Sequence, residues 1–577
     1  MKYQLFTLFI ILSSCANQTA PTGGPKDKTP PTLVYSNPEH QSVNVSTNEI
    51  ELEFDEYIKL DKAKEQIIIS PNIDSDIQYQ SRKNRVFIKF DKYLPDSTTF
   101  TINFREGIKD ITEGNSPKDL KLAFSTGSYL DSLTISGSVK DLLTDKPSKD
   151  YSIFLYNSKD TLNIFEDSPL YFTKTNKTGR YKFENIKNGE YKIYAVNDDN
   201  KDLKLDFSTE SYAFLDSTLV LNDTLADINL RTYYFNIDSN KLKSARQNGT
   251  IYELKFSKYV STYVLKSFDS TELYSNFTDK EHRSIQIFNY NITKDSLQTI
   301  IEYSDSTKLI LTDTVTIKFE ETVRTPKEFT QNIKLEKIFP SDGNLKGVLE
   351  FNKPIISINY DSIYLYLDSL NLIPLTPSNL QVNQLKDSYN LSYTIDKSLF
   401  ESKEPKENSQ NEIKPKELSS NSSTNDSTET KTKSKPPSPT QIIRPHLYIG
   451  KGAFVSAEND SIISKKTNLT FTKLDEYGTI LLETRTTYTN YVVQLLNSEF
   501  KIIQELPGQS KMTFYKVPAG EYTIRVLIDN NQNGIWDLGN INNNEPPEQI
   551  YFYTNDEDKK EITIRANWEL GPLILDF

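Results

Sequence analysis

The chain has 577 residues, of which 36% are hydrophobic and 11% aromatic, so it is long enough for several domains and too aromatic for a wholly disordered protein. Its 67 Lys and Arg against 79 Asp and Glu give a net charge of −12, which argues against a nucleic-acid partner. One cysteine and three histidines exclude an internal disulfide and a cysteine-based zinc site, and they disfavour histidine-driven catalysis.

The N-terminus predicts export and lipid anchoring. Residues 5–12 form an apolar run broken only by Thr7, which is too short to span a bilayer but typical of a signal peptide. The small residues before Cys15 resemble a bacterial lipobox, which implies cleavage before Cys15 and attachment of lipid to it. We therefore predict a lipoprotein signal peptide at 1–14, a tether at 15–31 and anchoring in the outer membrane. Whether the anchored protein faces the periplasm or the cell surface stays open.

Short alternating segments dominate the rest of the chain. Ile50–Phe54 and Phe100–Phe104 alternate apolar and polar residues, and Asp, Asn, Gly and Pro separate such segments. This pattern is typical of strands in β-sandwiches and predicts an all-β fold. Residues 401–440 contain no aromatic side chain and are rich in Lys, Glu, Ser and Pro. They predict a disordered insertion, because such a segment buries too little apolar surface to offset its ordering entropy.

Two internal repeats are visible. Phe183–Ile193 and Phe514–Ile524 share a Gly-Glu-Tyr core that begins at Gly189 and Gly520. A fainter repeat relates the Leu-Glu-Phe segment that ends at Phe54 to the one that ends at Phe351. The chain is therefore predicted to be a duplicated two-domain unit with an additional β domain between the copies.

These residues carry two family resemblances. Residues 31–127 resemble the bacterial Ig-like domain of S-layer-type (SbsA-type) surface proteins, on the segments Pro30–Leu33, Asn37–Pro38, Phe54–Ile58, Leu94–Thr98, Gly107–Asp110 and Phe124–Gly127. Residues 133–230 and 488–577 resemble the transthyretin-like, carboxypeptidase-regulatory-type β-sandwich, on Ile135–Val139 and on Thr178–Phe183 with the Gly-Glu-Tyr strand. The resemblance implies tandem Ig-like and transthyretin-like sandwiches and no catalytic zinc site, and fold alone supplies no function.

The predicted domains follow in chain order after the tether. They are an Ig-like domain at 32–127, a transthyretin-like sandwich at 131–230, an additional β domain at 231–330, a second Ig-like domain at 331–475 with the insertion 401–440, and a second transthyretin-like sandwich at 476–577.

Two polar loops carry the pattern of a calcium-binding loop, in which oxygen side chains at alternating positions converge on a cation. The candidate ligands are Asp529, Asn531, Asn533 and Asp537 in the second copy, and Asp198, Asn200, Asp202 and Asp206 in the first. Gly534 occupies the sharp-turn position in the second copy, whereas Leu203 occupies it in the first. The closing position holds Asn540, so Glu545 or Glu548 would have to close the second site. The alternative is a polar turn in which Asx side chains cap backbone groups. Calcium is the one candidate cofactor.

No arrangement of residues predicts an enzyme, because no His lies in a nucleophile context and no phosphate-binding glycine loop is present. The sequence predicts a non-catalytic structural or protein-interaction module, namely an accessory subunit of an outer-membrane assembly or secretion complex. Its partners would be the membrane, through the lipid, and other envelope proteins. The alternative is a cell-surface adhesin or glycan-binding lipoprotein, for which the candidate stacking residues are Tyr156, Tyr194, Tyr364 and Tyr366.

Overall fold

The computed structural model describes residues 27–397 and 444–577, apart from residues 74, 162, 291, 306–308 and 368–371. Strands dominate this part of the chain, and its helical content is one four-residue α-helix, α1 (Ala63–Gln66), and four 3-10 turns (Tyr360–Ser362, Pro377–Asn379, Leu474–Glu476 and Ile541–Asn543). The predicted all-β fold is therefore confirmed. The described residues form two compact units, 27–237 with 526–552, and 238–525 with 553–577.

The first unit begins with a β-sandwich. Its strands are β1 (Leu33–Asn37), β2 (Glu49–Phe54), β3 (Ile58–Leu60), β4 (Ile68–Ser70), β5 (Ile77–Arg82), β6 (Arg85–Phe90), β7 (Thr99–Asn103), β8 (Ile108–Asp110) and β9 (Lys121–Ser125). They form sheets in the orders β1-β2-β6-β5, β4-β7-β9 and β3-β8. Every second residue of β2 is buried, and Leu52 packs with Ile88, Phe100 and Phe124 in one core. Alternation along the strand therefore places one face of the sheet in the interior.

A second sandwich follows in the same unit. Its strands are β10 (Leu133–Asp141), β11 (Ser152–Asn157), β12 (Tyr171–Lys174), β13 (Arg180–Ile186), β14 (Gly189–Val196), β15 (Tyr212–Phe214), β16 (Leu219–Leu221) and β17 (Leu230–Thr232). One sheet has the order β13-β10-β17, and the other has β12-β11-β14-β15, with β16 also paired to β14. Ile135, Phe183 and Ile193 lie in the core between the two sheets. Residues 526–552 belong to this unit as well.

The second unit begins with seven strands in two sheets. They are β18 (Leu242–Asn248), β19 (Ile251–Phe256), β20 (Thr262–Ser267), β21 (Ser275–Phe277), β22 (Ser284–Phe288), β23 (Leu297–Ser304) and β24 (Ile310–Ile317). The orders are β18-β19-β22-β21 and β20-β23-β24, around a core that contains Leu254, Ile285 and Ile301. The additional segment of the sequence is therefore also a β-sandwich.

The next ten strands repeat the plan of the first sandwich. They are β25 (Gln331–Leu335), β26 (Asn344–Phe351), β27 (Ile355–Ile358), β28 (Ile363–Tyr366), β29 (Leu372–Pro374), β30 (Leu380–Val382), β31 (Ser388–Thr394), β32 (His446–Ile449), β33 (Phe454–Ser456) and β34 (Lys465–Asn468). The order β25-β26-β31-β30 corresponds to β1-β2-β6-β5, and the pair β27-β33 corresponds to β3-β8. The third sheet, β29-β28-β32-β34, contains the counterpart of β4-β7-β9.

The last strands repeat the plan of the second sandwich. They are β35 (Tyr477–Arg485), β36 (Tyr491–Asn497), β37 (Ile502–Pro507), β38 (Lys511–Pro518), β39 (Gly520–Ile528), β40 (Ile550–Phe552), β41 (Glu561–Ile564) and β42 (Glu569–Asp576). β35 pairs antiparallel with β38 and parallel with β42, as β10 pairs with β13 and β17. The Tyr191 hydroxyl donates to the Lys187 carbonyl at 2.8 Å, and Tyr522 donates to Pro518 at the same distance. Gly189 and Gly520 thus begin equivalent strands, as the sequence repeat predicts.

Three predictions lie outside the described residues. They are the signal peptide at 1–14, lipidation at Cys15 and the disordered insertion at 401–440, and most of the tether lies outside as well. Among the residues that the structure describes, no helix has the length and apolar character needed to cross a membrane.

Candidate functional site

The first predicted calcium loop, residues 198–210 (loop A), follows β14. Asp198 is 8% exposed, and its Oδ1 is buried without a hydrogen-bond partner. Its Oδ2 accepts from Ser152 Oγ at 3.4 Å. Burial raises the pKa of Asp198, an effect that the neighbouring Lys174 opposes and Asp202 reinforces. Loop A therefore contains a carboxylate that its surroundings leave incompletely solvated.

The other predicted ligands of loop A serve local turns. Asn200 donates to Asp202 Oδ2 at 3.1 Å and accepts from the Asp202 amide at 3.0 Å. Asp206 accepts from the Ser208 amide at 2.9 Å and from Thr209 Oγ1 at 3.0 Å. The structure thus brings Asn200 and Asp202 together, while the hydrogen bonds of Asp206 run to the turn that follows.

The second predicted loop, residues 529–548 (loop B), brings all four of its candidates together. Asp529 accepts from the amides of Asn533 (3.1 Å) and Gly534 (2.9 Å). Asn531 and Asn533 donate through Nδ2 to Asp537 Oδ2, at 3.0 Å and 2.6 Å. Gly534 has a φ of +85° and open space where a Cβ would lie, so the glycine serves the backbone conformation of the turn.

A glutamate closes each loop in the same way. Glu210 accepts from the amides of Asp199 (3.2 Å) and Asp206 (2.9 Å), one on each carboxylate oxygen. Glu548 accepts from the amides of Asn531 (3.1 Å) and Asp537 (2.9 Å). Each carboxylate therefore joins the two ends of its loop, and each is almost fully buried. Burial raises the pKa of Glu210, and the charges of Asp198 and Asp202 add to the increase.

The sequence predicts Glu548 as one of two closing candidates and does not reveal Glu210. No spacing rule points to Glu210, because it lies beyond the twelve positions of a calcium loop. The other candidate, Glu545, pairs through its backbone with Asn540. Trp536 donates from Nε1 to the Glu548 carbonyl at 3.2 Å, so this side chain fastens loop B to its own closing residue.

The loops differ from a preformed metal centre. In the part of the chain that the structure describes, no group of three or more His, Cys, Asp or Glu is arranged to hold a metal ion. A cation in loop B would therefore depend on the amide oxygens of Asn531 and Asn533 in addition to carboxylates. The observed bonds are those of polar turns, and calcium stays a prediction.

Two grooves lie at junctions between sandwiches of the same unit. Groove 1, in the first unit, has a volume of about 500 Å³ and is lined from both sandwiches, for example by Thr98, Asp131, Tyr171, Lys187 and Tyr191. Groove 2, in the second unit, has a volume of about 650 Å³, and its lining includes Asn276, Lys280, Gln286, Lys327 and Asn352. Both volumes are in the range of ligand-binding clefts, and both linings mix charged, amide and aromatic groups.

The candidate stacking tyrosines lie in two pairs, Tyr156 with Tyr194 and Tyr364 with Tyr366, each in edge-on ring contact. Tyr156 is 3% exposed and donates to the Asp167 carbonyl at 2.8 Å, and its ring packs edge-on against Tyr194. Tyr366 stacks on His446 with ring centroids 4.8 Å apart. These contacts are those of half-buried strand positions.

A comparison with protein-family models supports the first sandwich of this fold. Residues 27–126 match the family model of a bacterial Ig-like domain. This match contains the first sandwich. No curated protein matches the chain.

Three solved structures align with much of the chain at low sequence identity and low structural similarity. The Bacillus anthracis TIE protein is 10% identical, with 96% of this chain and 75% of that chain covered and a TM-score of 0.12. BcpA, the major pilin subunit of Bacillus cereus, is 11% identical, with 77% and 98% covered and a TM-score of 0.11. The S-layer protein rSbsC(31-844) is 10% identical, with 92% and 68% covered and a TM-score of 0.13. Structural similarity at this level supports no conclusion about the fold or the function of this chain.

Proposed function

We propose that this chain is a non-catalytic protein of the cell envelope, anchored in the outer membrane through lipid on Cys15, that holds other envelope proteins in an assembly or secretion complex. The observation that carries the proposal is the pair of grooves at sandwich junctions. A concave surface built by two modules accepts an extended segment of a partner, and the mixed lining offers hydrogen bonds along its length.

Direct bonds hold the modules of each unit together. In the first unit, Arg105 pairs with Asp150 at 2.9 Å, Lys201 pairs with Glu65 at 2.8 Å, and the Asn72 amide donates to the Leu170 carbonyl at 2.7 Å. Several independent bonds across one junction restrict hinge motion, so groove 1 keeps its shape before a partner arrives. Such preorganisation lowers the entropy cost of binding.

The second unit is joined in the same manner. Lys386 pairs with Glu272 at 2.6 Å, and Gln286 Nε2 donates to the Asn352 carbonyl at 3.1 Å. Both bonds connect the 242–317 sandwich with the sandwich that follows it. Each unit therefore offers a partner a groove whose two walls are held together by direct bonds.

Affinity purification of the tagged full-length protein from cross-linked envelopes tests the proposal. We expect stoichiometric recovery of one or more envelope proteins. Lys187→Glu in groove 1 and Lys327→Glu in groove 2 should reduce this recovery, whereas Lys473→Glu, at an exposed lysine that lines neither groove, should not. Recovery of the chain alone would overturn the assembly role, and retention on glycan arrays would then favour the adhesin.

The anchor has its own test. Cys15→Ser should abolish lipid labelling and move the protein from the membrane fraction to the soluble fraction. The variant carries no lipid, and the apolar run at residues 5–12 is too short to span a bilayer. Unchanged membrane association of the variant would contradict lipid anchoring while leaving the groove experiment valid.

A further inference from the structure

A lysine lies inside the second unit between two carboxylates. Lys353, just after β26, is 2% exposed, and its Nζ lies 2.6 Å from Glu458 Oε2 and 2.6 Å from Asp460 Oδ2. Both acidic residues follow β33. Phe351, Ile355 and Phe454, all buried, occupy the core beside this cluster. One amine and two carboxylates are therefore held at contact distance.

The two carboxylates differ in their surroundings. The Glu458 side chain is 8% exposed, and its Oε1 accepts from Thr250 Oγ1 at 2.5 Å. The Asp460 side chain is 35% exposed, and its Oδ1 accepts from Ser456 Oγ. Asp460 is therefore in contact with solvent, whereas Glu458 is withdrawn from it.

The charges of the cluster do not balance. One ammonium faces two carboxylates, and burial of charged groups is costly even when they are paired. Conversion of Lys353 and one carboxylate to a neutral amide would remove two buried charges at once. Fixed contact between an amine and a carboxyl also replaces a bimolecular step with an intramolecular one, for which effective concentrations are very high.

We propose that Lys353 and Glu458 condense to an intramolecular amide bond. The Lys353 ammonium transfers a proton to Asp460, and the neutral Nζ attacks Cδ of Glu458. The Thr250 hydroxyl donates to Oε1 and stabilises the negative charge that develops there. Nζ loses its second proton, Asp460 gives back the first, the Cδ–Oε2 bond breaks, and Oε2 leaves as water with both protons. The ammonium and the carboxylate are thereby converted to one amide and one water, without a further reactant.

The bond would close a loop from residue 353 to residue 458, which contains residues 398–443. A covalent link across such a loop restricts the unfolded chain and so stabilises the folded sandwich, as a disulfide does. The inference is independent of the proposed function, since the link requires no partner.

Peptide mapping of the denatured full-length protein tests the proposal. We expect trypsin to release a branched peptide in which Lys353 is joined to Glu458, lighter by one water than the sum of its parts. Lys353→Arg is the matched control, because it keeps the positive charge and lacks a comparable nucleophile. It should yield two separate peptides and a lower melting temperature. Asp460→Asn should slow formation of the link in freshly made protein.

Two results would overturn the proposal. Separate peptides of full mass from the wild-type protein would show that the cluster is only an ion pair. A link from Lys353 to Asp460 would contradict the assignment of Glu458 as the acyl group. Both results are read directly from the wild-type chain, so they do not depend on whether a variant folds.

Discussion

Loop A and loop B follow equivalent strands of two repeated sandwiches, and a buried glutamate closes each of them. The two loops satisfy their polar groups differently. In loop B the carboxylate of Asp529 accepts two backbone amides, and Asp537 accepts two side-chain amides. In loop A one oxygen of the buried Asp198 has no partner. The closing glutamate is therefore common to both repeats. The rest of the two loops has diverged, because loop B supplies hydrogen bonds to its aspartates and loop A leaves an oxygen of Asp198 without one.

Removal of the closing glutamate should produce the largest effect. Glu210→Ala and Glu548→Ala each remove the acceptor of two partly buried backbone amides, and the loss of a hydrogen bond to a charged group costs about 1.5–3 kcal/mol. Native-state hydrogen exchange at Asp199 and Asp206, or at Asn531 and Asp537, measures the loss. Glu→Gln is the matched control, since its single carbonyl oxygen should retain part of the protection. Unchanged exchange in both alanine variants would show that the glutamates do not hold the loops.

Exchange of the turn residues should have opposite effects in the two loops. Leu203 has a φ of +59° and Gly534 a φ of +85°, a region that disfavours side chains with a Cβ. Leu203→Gly should therefore stabilise loop A, and Gly534→Ala should destabilise loop B, each by about 1 kcal/mol. Hydrogen exchange of the loop amides gives both values. A destabilised Leu203→Gly variant would mean that packing of the leucine outweighs its backbone strain.

The sequence predicts the framework better than the site. Alternation at Ile50–Phe54 predicts β2, and the Gly-Glu-Tyr segments at Gly189 and Gly520 predict equivalent strands, because both patterns depend on local geometry. Glu210 escapes prediction because its partners are backbone amides of Asp199 and Asp206, which lie at opposite ends of a loop. Contacts to main-chain groups leave no pattern of side-chain types. The burial of Lys353 beside Glu458 and Asp460 also escapes prediction, because those residues lie more than one hundred positions away in the sequence.

Acid should stabilise loop A. Burial raises the folded-state pKa of Asp198 and Glu210 above their ordinary values of 3.8 and 4.5. A raised pKa means that these groups contribute stability that is fully present below the ordinary values and is lost as the pH rises through the folded values. The opening free energy of loop A, from hydrogen exchange corrected for intrinsic rates, should therefore increase as the pH falls from 7 toward 4.5. Asp198→Asn should reduce this dependence, and a dependence that Asp198→Asn leaves unchanged would exclude Asp198 as its source.

Calcium should have the smallest effect, and it separates the two loops most sharply. Weak extracellular-type sites bind with dissociation constants of about 0.1–1 mM, so 1 mM calcium would stabilise an occupied loop by only about 0.4–1.4 kcal/mol. Loop B places Asp529, Asn531, Asn533 and Asp537 together, and rotation of the two Asn side-chain amides would direct oxygens inward instead of nitrogens. Calcium should then increase amide protection in loop B, and Asp529→Asn should abolish the increase while Asp206→Asn leaves it intact. Equal protection with calcium and with chelator would establish loop B as a polar turn, held by Glu548 and the Asx side chains without a cation.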